Sequence, residues 1–313
     1  MYNDYSASLL NFFRFVLYSY TMNAFTIKDL ENLSGIKAHT IRIWEQRYSF
    51  LKPKRTQTNI RYYSNDELKL ILNISLLNKY GYKVSHIDKM SNDEISQKVL
   101  TLSHTDAQQE RVIYELITHM ISVDSDKFEL VLNNFILARG IEKTITQIVF
   151  PFLDRIGIFW LTSNINSAQE HLVTNIIRQK LIIGIEKKTG YVQVNKTVLL
   201  FLPEGEHHEL GLLFIHYLLK SHGVKVIYLG TNIPMKDVEF VANLKKPDVI
   251  YAHLTSVASN FNLEKYLRQL TELIPDFTVV LSGQLIQHYN KVLPPKVSIK
   301  KSLQEVMEYI SSL

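Results

Sequence analysis

Apolar residues near the start of the chain recur at the spacing of amphipathic helices, in two runs separated by Gly35. The positions expected to point inward are Ile27, Leu30 and Leu33 in the first run, then Ile41, Ile43 and Trp44 in the second. Thr26 is a good N-cap for the first helix, and the second is expected to begin near Lys37. Residues 52–63 then mix cations, hydroxyls and aromatics, which is typical of a hairpin. We therefore predict a helix-turn-helix followed by a basic wing.

The middle of the chain keeps a helical pattern almost throughout. Ser64 caps a helix that ends near Gly81, and a short helix follows from Val84 to about Met90. Residues 91–105 are rich in Ser, Asn, Asp and Thr, which indicates a linker or a weak helix. Candidate helices then run near 106–121, 124–138, 141–160 and 166–188. Four helices with short joints predict a four-helix bundle.

The period changes at Lys196, where short apolar runs begin to alternate with helical segments. The runs that read as strands are TVLLFLP, VKVIYLG, PDVIYAHLTS, FTVVLSG and VSIK. Strands that alternate with helices predict an α/β, doubly wound parallel sheet of the flavodoxin-like class. Ligands of such sheets bind beyond the carboxyl ends of the strands.

Charge is unevenly distributed along the 313 residues. The net charge is +5, but residues 22–90 hold 12 Lys and Arg against 6 Asp and Glu, so the rest is near neutral. A basic module on a near-neutral body is typical of a nucleic-acid reader joined to a separate sensing part. The absence of cysteine excludes disulfides, zinc fingers and cysteine-based sensing, and a cytoplasmic location is expected. Residues 1–21 read as an apolar extension too short to span a bilayer, with Met22 as a candidate start.

The second helix and the wing supply the side chains expected to contact DNA. A recognition helix lies in the major groove, and a basic wing lies along phosphates. The candidate DNA-binding residues are His39, Thr40, Arg42, Arg47 and Tyr48 from the helix, and Arg55, Asn59, Arg61 and Tyr62 from the wing. A helical hairpin with a solvated charged loop is the alternative, and the ordered combination of helix, wing and following helix disfavours it.

The segments TIRIWEQRY and IRYYSNDEL resemble the N-terminal domain of the MerR family of transcription regulators. The resemblance covers about Phe25 to Met90 and keeps helix, wing and following helix in the family's order. It implies double-stranded DNA as a partner and protomers that read two half-sites.

A histidine motif follows the first strand of the sheet, at the edge where ligands bind. Glu206, His208 and Gly211 fit the pattern E-x-H-x-x-G, which resembles the Asp-x-His-x-x-Gly motif of cobalamin-binding domains. The resemblance implies that His208 is the lower axial ligand of cobalt, while the carboxylate orients its second nitrogen. Gly211 would let the corrin or its tail approach the backbone closely. A polar loop with two incidental histidines is the alternative.

The bundle carries a second motif, in which nine residues separate Trp160 from Glu170 and His171. This spacing resembles the cobalamin-binding bundle of the light- and cobalamin-responsive MerR regulators of the CarA/CarH type. The resemblance implies that the flat indole covers the upper face of the corrin, and that Glu170 and His171 offer polar contacts to the upper ligand. A buried core tryptophan beside a solvated Glu-His pair is the alternative.

Besides Glu206, which stands where the cobalamin motif has Asp, three positions depart from the families that the chain resembles. Cobalamin domains usually carry Ser-x-Leu after the third strand and Gly-Gly after the fourth, where this chain has His253 and then Ser282-Gly283. Larger side chains at these cofactor-binding positions are expected to narrow the slot for the nucleotide tail. The light-responsive relatives place a histidine directly after the bundle tryptophan, where this chain has Leu161, so their light-driven ligand switch is not expected.

The sequence therefore predicts an N-terminal extension at 1–21, a MerR-type DNA-binding domain at 22–92, a helical bundle at 104–190 and a cobalamin-binding α/β domain at 195–313. The expected function is that of a DNA-binding transcription regulator. In it, adenosylcobalamin or methylcobalamin controls association into a homo-oligomer, dimer or tetramer, and thereby DNA binding. The alternative is a MerR-type regulator whose degenerate cobalamin fold binds no ligand and serves as a protein-interaction module. An enzyme is not expected, because no substrate domain is left in the length, and no membrane partner is expected.

Overall fold

The structure is a computed structural model that describes residues 24–56, 58–160, 167–188, 194–256 and 261–313. For residues 158–160 the description covers the helical backbone alone. The predicted extension 1–21, Leu161 and the side chain of Trp160 therefore lie outside the described part. The chain divides into two compact units, residues 1–175 and 176–313.

The first unit begins with a winged helix-turn-helix, as the sequence predicts. The elements are α1 (Ile27–Ser34), α2 (Ala38–Arg47), β1 (Lys54–Arg55), β2 (Arg61–Tyr62), α3 (Asn65–Lys79), α4 (Val84–Ile87) and α5 (Asn92–Leu100). Thr26, Ser64 and Ser91 each accept a side-chain bond from the N3 backbone N–H, and the N3 carboxylate accepts a bond from the backbone N–H of the N-cap residue. Capping boxes therefore begin α1, α3 and α5. Gly35 ends α1 with a φ of 73°, a left-handed conformation that glycine adopts without strain. β1 and β2 pair antiparallel and form the wing.

Two expectations for this region concern the direction of Ile43 and the structure of residues 91–105. The first is wrong, and the second left two alternatives open. Ile43 does not point inward, because its side chain is 45% exposed while Ile41 and Trp44 are buried. At about 100° per residue, position 43 lies about 200° from position 41, on the opposite side of the helix. The segment expected to be a linker or a weak helix contains a regular helix, α5, because Ser91 and Glu94 cap its start.

The rest of the first unit is helical. The elements are α6 (Thr105–Ile121), α7 (Ser125–Arg139), α8 (Ile141–Thr144), a π-helical turn (Ile145–Val149), α9 (Phe150–Trp160) and α10 (Ser167–Glu186), which continues into the second unit. α8, the π turn and α9 are continuous, so the elements match the predicted helices. Phe128 of α7 packs on Phe152 of α9 with ring centroids 5.6 Å apart, and both are fully buried. Of the apolar residues that mark α7, Leu132 is buried but Leu130 is exposed.

The second unit is a parallel sheet with helices between its strands. The strands are β3 (Val194–Pro203), β4 (Val224–Ile233), β5 (Val249–His253), β6 (Thr278–Ser282) and β7 (Val297–Lys300), and the helices are α11 (Leu210–Ser221), α12 (Met235–Lys245), α13 (Leu263–Leu273) and α14 (Leu303–Ser311). All neighbouring strands pair in parallel, in the order β4-β3-β5-β6-β7. This confirms the predicted doubly wound sheet. The order reverses between β3 and β5, so their carboxyl ends form the switch point where ligands of this class bind.

The sheet core ends abruptly at this edge. The last six residues of β3 are all buried, as expected for a strand covered on both faces, and a polar loop follows Pro203. Buried apolar residues of β3, β5 and β6 pack together beneath the loop. Across the described ranges, none of the helices combines the length and apolarity that a membrane crossing requires.

Candidate functional site

One carboxylate holds α2 and the wing together. Glu45 accepts a bond from Arg61 Nε at 3.0 Å and another from the Tyr63 hydroxyl. Tyr63 is fully buried, and its backbone exchanges two 2.8 Å bonds with Phe25. Burial and the bond to Glu45 raise the pKa of Tyr63, so its hydroxyl remains a donor to the carboxylate. The wing therefore has a defined position beside α2. Sequence reasoning missed Glu45, because a single acidic residue in a basic helix gives no periodic signal.

The residues of α2 and its C-cap that were predicted to contact DNA differ in exposure. The exposed ones are His39, Arg42 and Arg47, and the half-buried ones are Thr40 and Tyr48. Tyr48 stacks on Phe50 with ring centroids 5.6 Å apart, and the Arg47 guanidinium lies 5.9 Å from the Tyr48 ring. The helix thus presents one histidine and two guanidinium groups outward.

Three of the four predicted contact residues of the wing bind one another or α2. Asn59 has a φ of 64° at the turn, and its side-chain oxygen accepts a bond from Arg55 Nη1 at 2.8 Å. Arg61 and Tyr62 are half-buried on β2, and Arg61 is the partner of Glu45. These contacts join the two sides of the wing turn and connect β2 to α2.

In the second unit, a fully buried carboxylate organises the loop after β3. Glu206 Oε1 accepts bonds from the backbone N–H groups of His207 and His208, at 2.9 Å each, and lies 2.7 Å from His208 Nδ1. Its Oε2 accepts bonds from the backbone N–H groups of Thr255 and Ser256, at 2.8 and 2.6 Å. Burial alone would raise the pKa of Glu206, but the bonds from the His208 ring and these backbone groups outweigh it and lower the pKa to about 2. Glu206 is therefore ionised at neutral pH and joins the loops after β3 and β5.

The two adjacent histidines make different contacts with this carboxylate. His208 contributes its backbone N–H and its ring Nδ1, whereas the bond from His207 comes from its backbone. With Nδ1 turned to Glu206, Nε2 is the ring nitrogen on the far side from the carboxylate, and the His208 side chain is 58% exposed. A carboxylate on one ring nitrogen is the usual arrangement for a histidine that binds a metal through the other. The donor set of His208 and Glu206 therefore fits an axial cobalt ligand.

The space beside Gly211 is filled by a side chain of the chain itself. Gly211 lies in the first turn of α11, and a Cβ there would collide with the imidazole of His253. His253 ends β5 opposite Ser282 of β6, and its Nδ1 lies 2.8 Å from Ser282 Oγ. Burial lowers the pKa of His253 to about 4, so the ring is neutral at neutral pH. Gly283 follows with a φ of 112°, and a Cβ on it would collide with the Leu254 carbonyl.

The second predicted motif lies in the first unit. Glu170 and His171 are neighbours at the start of α10, with His171 Nδ1 2.9 Å from Glu170 Oε2. His171 is exposed and Glu170 is half-buried. The predicted cofactor residues that the structure brings together in the second unit are Glu206, His208, Gly211, His253, Ser282 and Gly283.

A network that sequence reasoning missed lies next to the histidine loop. Glu209, directly after His208, accepts bonds from Arg178 Nε at 2.6 Å and from the Tyr228 hydroxyl at 2.7 Å. Tyr228 stacks on His216 with ring centroids 5.0 Å apart. The only feature of the sequence that points to Glu209 is its place directly after His207 and His208. The charge pattern of α10 does not set Arg178 apart from its other polar residues. This network ties α10 and β4 to the start of α11.

Two segments of the chain match known families. Residues 25–94 match the MerR HTH family regulatory protein, and residues 196–292 match the B12 binding domain. The chain combines a MerR-type DNA-binding domain with a B12-binding domain. These matches confirm the two domains that the motifs predicted.

The chain is also similar to curated proteins over most of its length. It is 25% identical to the HTH-type transcriptional repressor CarA of Myxococcus xanthus over 259 residues, 82% of this chain and 85% of that protein. It is 24% identical to the HTH-type transcriptional repressor CarH of the same organism over 257 residues, 80% of this chain and 85% of that protein. Both relatives are regulators, in agreement with the expectation that the chain is a regulator and not an enzyme. Among solved structures, the monomethylamine corrinoid protein of Methanosarcina barkeri gives a TM-score of 0.48 at 13% identity, covering 65% of this chain and 99% of that one.

Proposed function

We propose that the regulator is a cobalamin sensor in which His208 is the lower axial ligand of cobalt. In this proposal the bound cofactor controls how protomers associate, and association sets the affinity for double-stranded DNA. The observation that carries the proposal is the pair formed by His208 Nδ1 and the fully buried Glu206, 2.7 Å apart. The pair lies at the carboxyl edge of the sheet, where ligands of doubly wound folds bind.

The chemistry of the pair suits an axial ligand. A neutral imidazole is a common metal ligand, and a carboxylate on its other nitrogen fixes the ring and raises its basicity. When bound, the cobalt of cobalamin supplies a coordination position whose occupancy changes the visible spectrum. Backbone N–H groups from two loops hold Glu206 ionised, so the orientation of His208 depends on the loops after both β3 and β5.

The other cofactor contacts are assigned by position and by resemblance. The residues assigned to the nucleotide tail are Gly211, His253, Ser282 and Gly283, and those assigned to the upper face are Trp160, Glu170 and His171. His253 has to move aside for a tail to enter, because its imidazole now fills the space beside Gly211. Adenosylcobalamin or methylcobalamin is the proposed form of the cofactor.

The DNA contacts are assigned to the outward side of α2 and to the wing. The helix would enter the major groove with His39, Thr40, Arg42, Arg47 and Tyr48, and the wing would follow phosphates with Arg55, Asn59, Arg61 and Tyr62. Two protomers that read two half-sites require a homo-oligomer, either a dimer or a tetramer. The proposed location of the protein is the cytoplasm, where it has access to DNA. The names of both curated relatives support repression as the sign of control.

The proposal is tested by visible absorption and oligomeric state. The full chain is mixed with adenosylcobalamin or methylcobalamin in the dark, and we expect a His-coordinated spectrum together with a change in oligomeric state and in affinity for DNA. His208→Ala should remove the His-coordinated signature and lower cobalamin affinity. His207→Ala is the matched control and should keep both. An unchanged spectrum in His208→Ala would contradict the ligand assignment.

A ligand-free interaction module is the second candidate, and His253 favours it by filling the space beside Gly211. A wild-type chain that leaves the cobalamin spectrum unchanged but still self-associates would support this candidate. Cobinamide, which lacks the nucleotide tail, separates the two cases further. If His253 obstructs the tail, His253→Ser should raise the affinity for cobalamin more than the affinity for cobinamide.

A further inference from the structure

The outward face of α2 is a single stripe of side chains. The exposed residues of α2 are His39, Arg42, Ile43, Gln46 and Arg47. Their spacing of three and four residues places them on one face, opposite the buried Ile41 and Trp44. An isoleucine that is 45% exposed therefore lies between two arginines on the face that the DNA assignment turns toward the major groove.

The stripe is also unengaged within the protein. Among the described residues, the side chains of His39, Arg42, Gln46 and Arg47 form no hydrogen bond or ion pair. Arg47 also contacts the Tyr48 ring. Glu45 on the neighbouring face, by contrast, is bound by Arg61 and Tyr63. One side of α2 therefore holds the wing, and the stripe on the other side is exposed to a binding partner.

We propose that Ile43 and Gln46 are the base-reading pair of the stripe, and this rests on the proposed DNA-binding role of α2. Phosphate contacts from arginine position a protein but do not read sequence. In the major groove, an apolar side chain contacts the 5-methyl group of thymine, and a glutamine amide bonds adenine N6 and N7. One exposed isoleucine alone would mean little. Its place beside Gln46 on a cationic recognition stripe gives both side chains a shared target, an A·T pair or two adjacent ones.

Base analogues test the pair directly. Duplexes enriched from a random library by the full-length chain define the half-site, and each thymine is then replaced by deoxyuridine, which lacks the 5-methyl group. At one thymine per half-site we expect the wild-type affinity to fall about fourfold, the effect of one buried methyl group. Ile43→Ala should bind both duplexes equally, and Ile43→Val should keep most of the discrimination. Replacement of the adjacent adenine by 7-deazaadenine should weaken the wild type about tenfold and leave Gln46→Ala unaffected.

The control isoleucine is Ile183 on α10, which is 47% exposed in the other unit. Ile183→Ala should discriminate thymine from deoxyuridine as the wild type does. A wild type that binds all deoxyuridine duplexes like their thymine parents would overturn the inference for Ile43. The same holds if Ile43→Ala still discriminates. Failure of the wild type to enrich any duplex would instead contradict the DNA-binding role of α2. The inference about Ile43 and Gln46 rests on that role and would be overturned with it.

Discussion

At the scale of single residues, the second unit depends on the ionisation of Glu206. The carboxylate is fully buried, yet it accepts bonds from backbone groups of two loops and from one imidazole. A carboxylate in such surroundings stabilises the fold through its charge, since every donor around it favours the ionised form. The same bonds orient His208, so stability and ligand geometry have a common origin here.

Glu206→Gln should lower the free energy of unfolding of the second unit by roughly 2–3 kcal/mol at pH 7, because an amide replaces a charged acceptor. The pKa of Glu206 is lowered from 4.5 to about 2 in the folded chain. Its contribution is therefore complete above pH 4.5 and is lost as the pH falls toward 2. Urea unfolding from pH 7 downward should show the difference from the wild type shrinking in that window. Glu204→Gln, an exposed neighbour, should show neither effect.

His253 and Gly211 should behave as a coupled pair. Gly211→Ala adds a Cβ that collides with the His253 imidazole, so we expect it to destabilise the second unit by about 1–3 kcal/mol. His253→Ser removes the colliding ring, and Gly211→Ala should cost much less in that background. The four free energies of unfolding form a double-mutant cycle. Additive effects within experimental error would show that the ring is not the group that excludes a side chain at position 211.

At the scale of elements, α2 and the wing form one surface because Glu45 binds both Arg61 and Tyr63. The four arginines of this surface fall into two groups. Arg42 and Arg47 are exposed on the helix, whereas Arg55 and Arg61 are bound to Asn59 and Glu45. Loss of an arginine from the first group removes charge and, for Arg47, an exposed contact with the Tyr48 ring. Loss from the second group also releases a hydrogen bond or an ion pair within the wing surface.

Arg47→Ala should reduce the magnitude of the salt dependence of DNA binding by about 1 in log–log slope and leave the melting temperature unchanged. Arg61→Ala should reduce the slope and also lower the melting temperature of the first unit, because Glu45 loses a partner. Binding titrations over a range of salt concentrations and thermal melts measure the two effects. Lys187→Ala, an exposed cation of the second unit, is the control. If both Arg47→Ala and Arg61→Ala leave affinity and salt dependence unchanged, the docking of α2 and the wing on DNA is wrong.

The elements were predictable from local pattern, and several contacts within them were not. Caps at Thr26 and Ser64 and the alternation of strands with helices are local signals, and the structure confirms them. Ile43 is apolar and stands between Ile41 and Trp44 in the sequence, which suggests an inward side chain, but its helical angle turns it outward. Glu45 could not be paired with Arg61 from sequence, since the hairpin register decides which side chain reaches the helix. His253 was known to be larger than the usual residue, but its position against Gly211 depends on how β5 and α11 pack.

At the scale of the molecule, the DNA reader is packed on the bundle within the first unit. Ser75 of α3 donates to the Ser34 carbonyl of α1, which ties the reader's own helices together. Glu110 of α6 then binds Lys79 of α3 at 2.7 Å and Arg155 of α9 at 2.9 Å. Burial would raise the pKa of Glu110, but the two cations outweigh it and lower the pKa. A single carboxylate thus connects the last helical turn of α3 with two helices of the bundle.

Glu110→Gln should weaken the joint between reader and bundle, because Lys79 and Arg155 would lose their shared counter-ion. The Glu110 side chain is 12% exposed, so we expect the free energy of unfolding to fall by about 1–3 kcal/mol at neutral pH. The loss should appear first as faster hydrogen exchange in α3, while the buried α7–α9 contact of Phe128 with Phe152 keeps its protection. Glu115→Gln is the matched control on the same helix, since its side chain is 43% exposed and pairs with Arg111 only at 3.8 Å. Equal effects of the two substitutions, or protection in α3 that does not change, would show that Glu110 has no such connecting role.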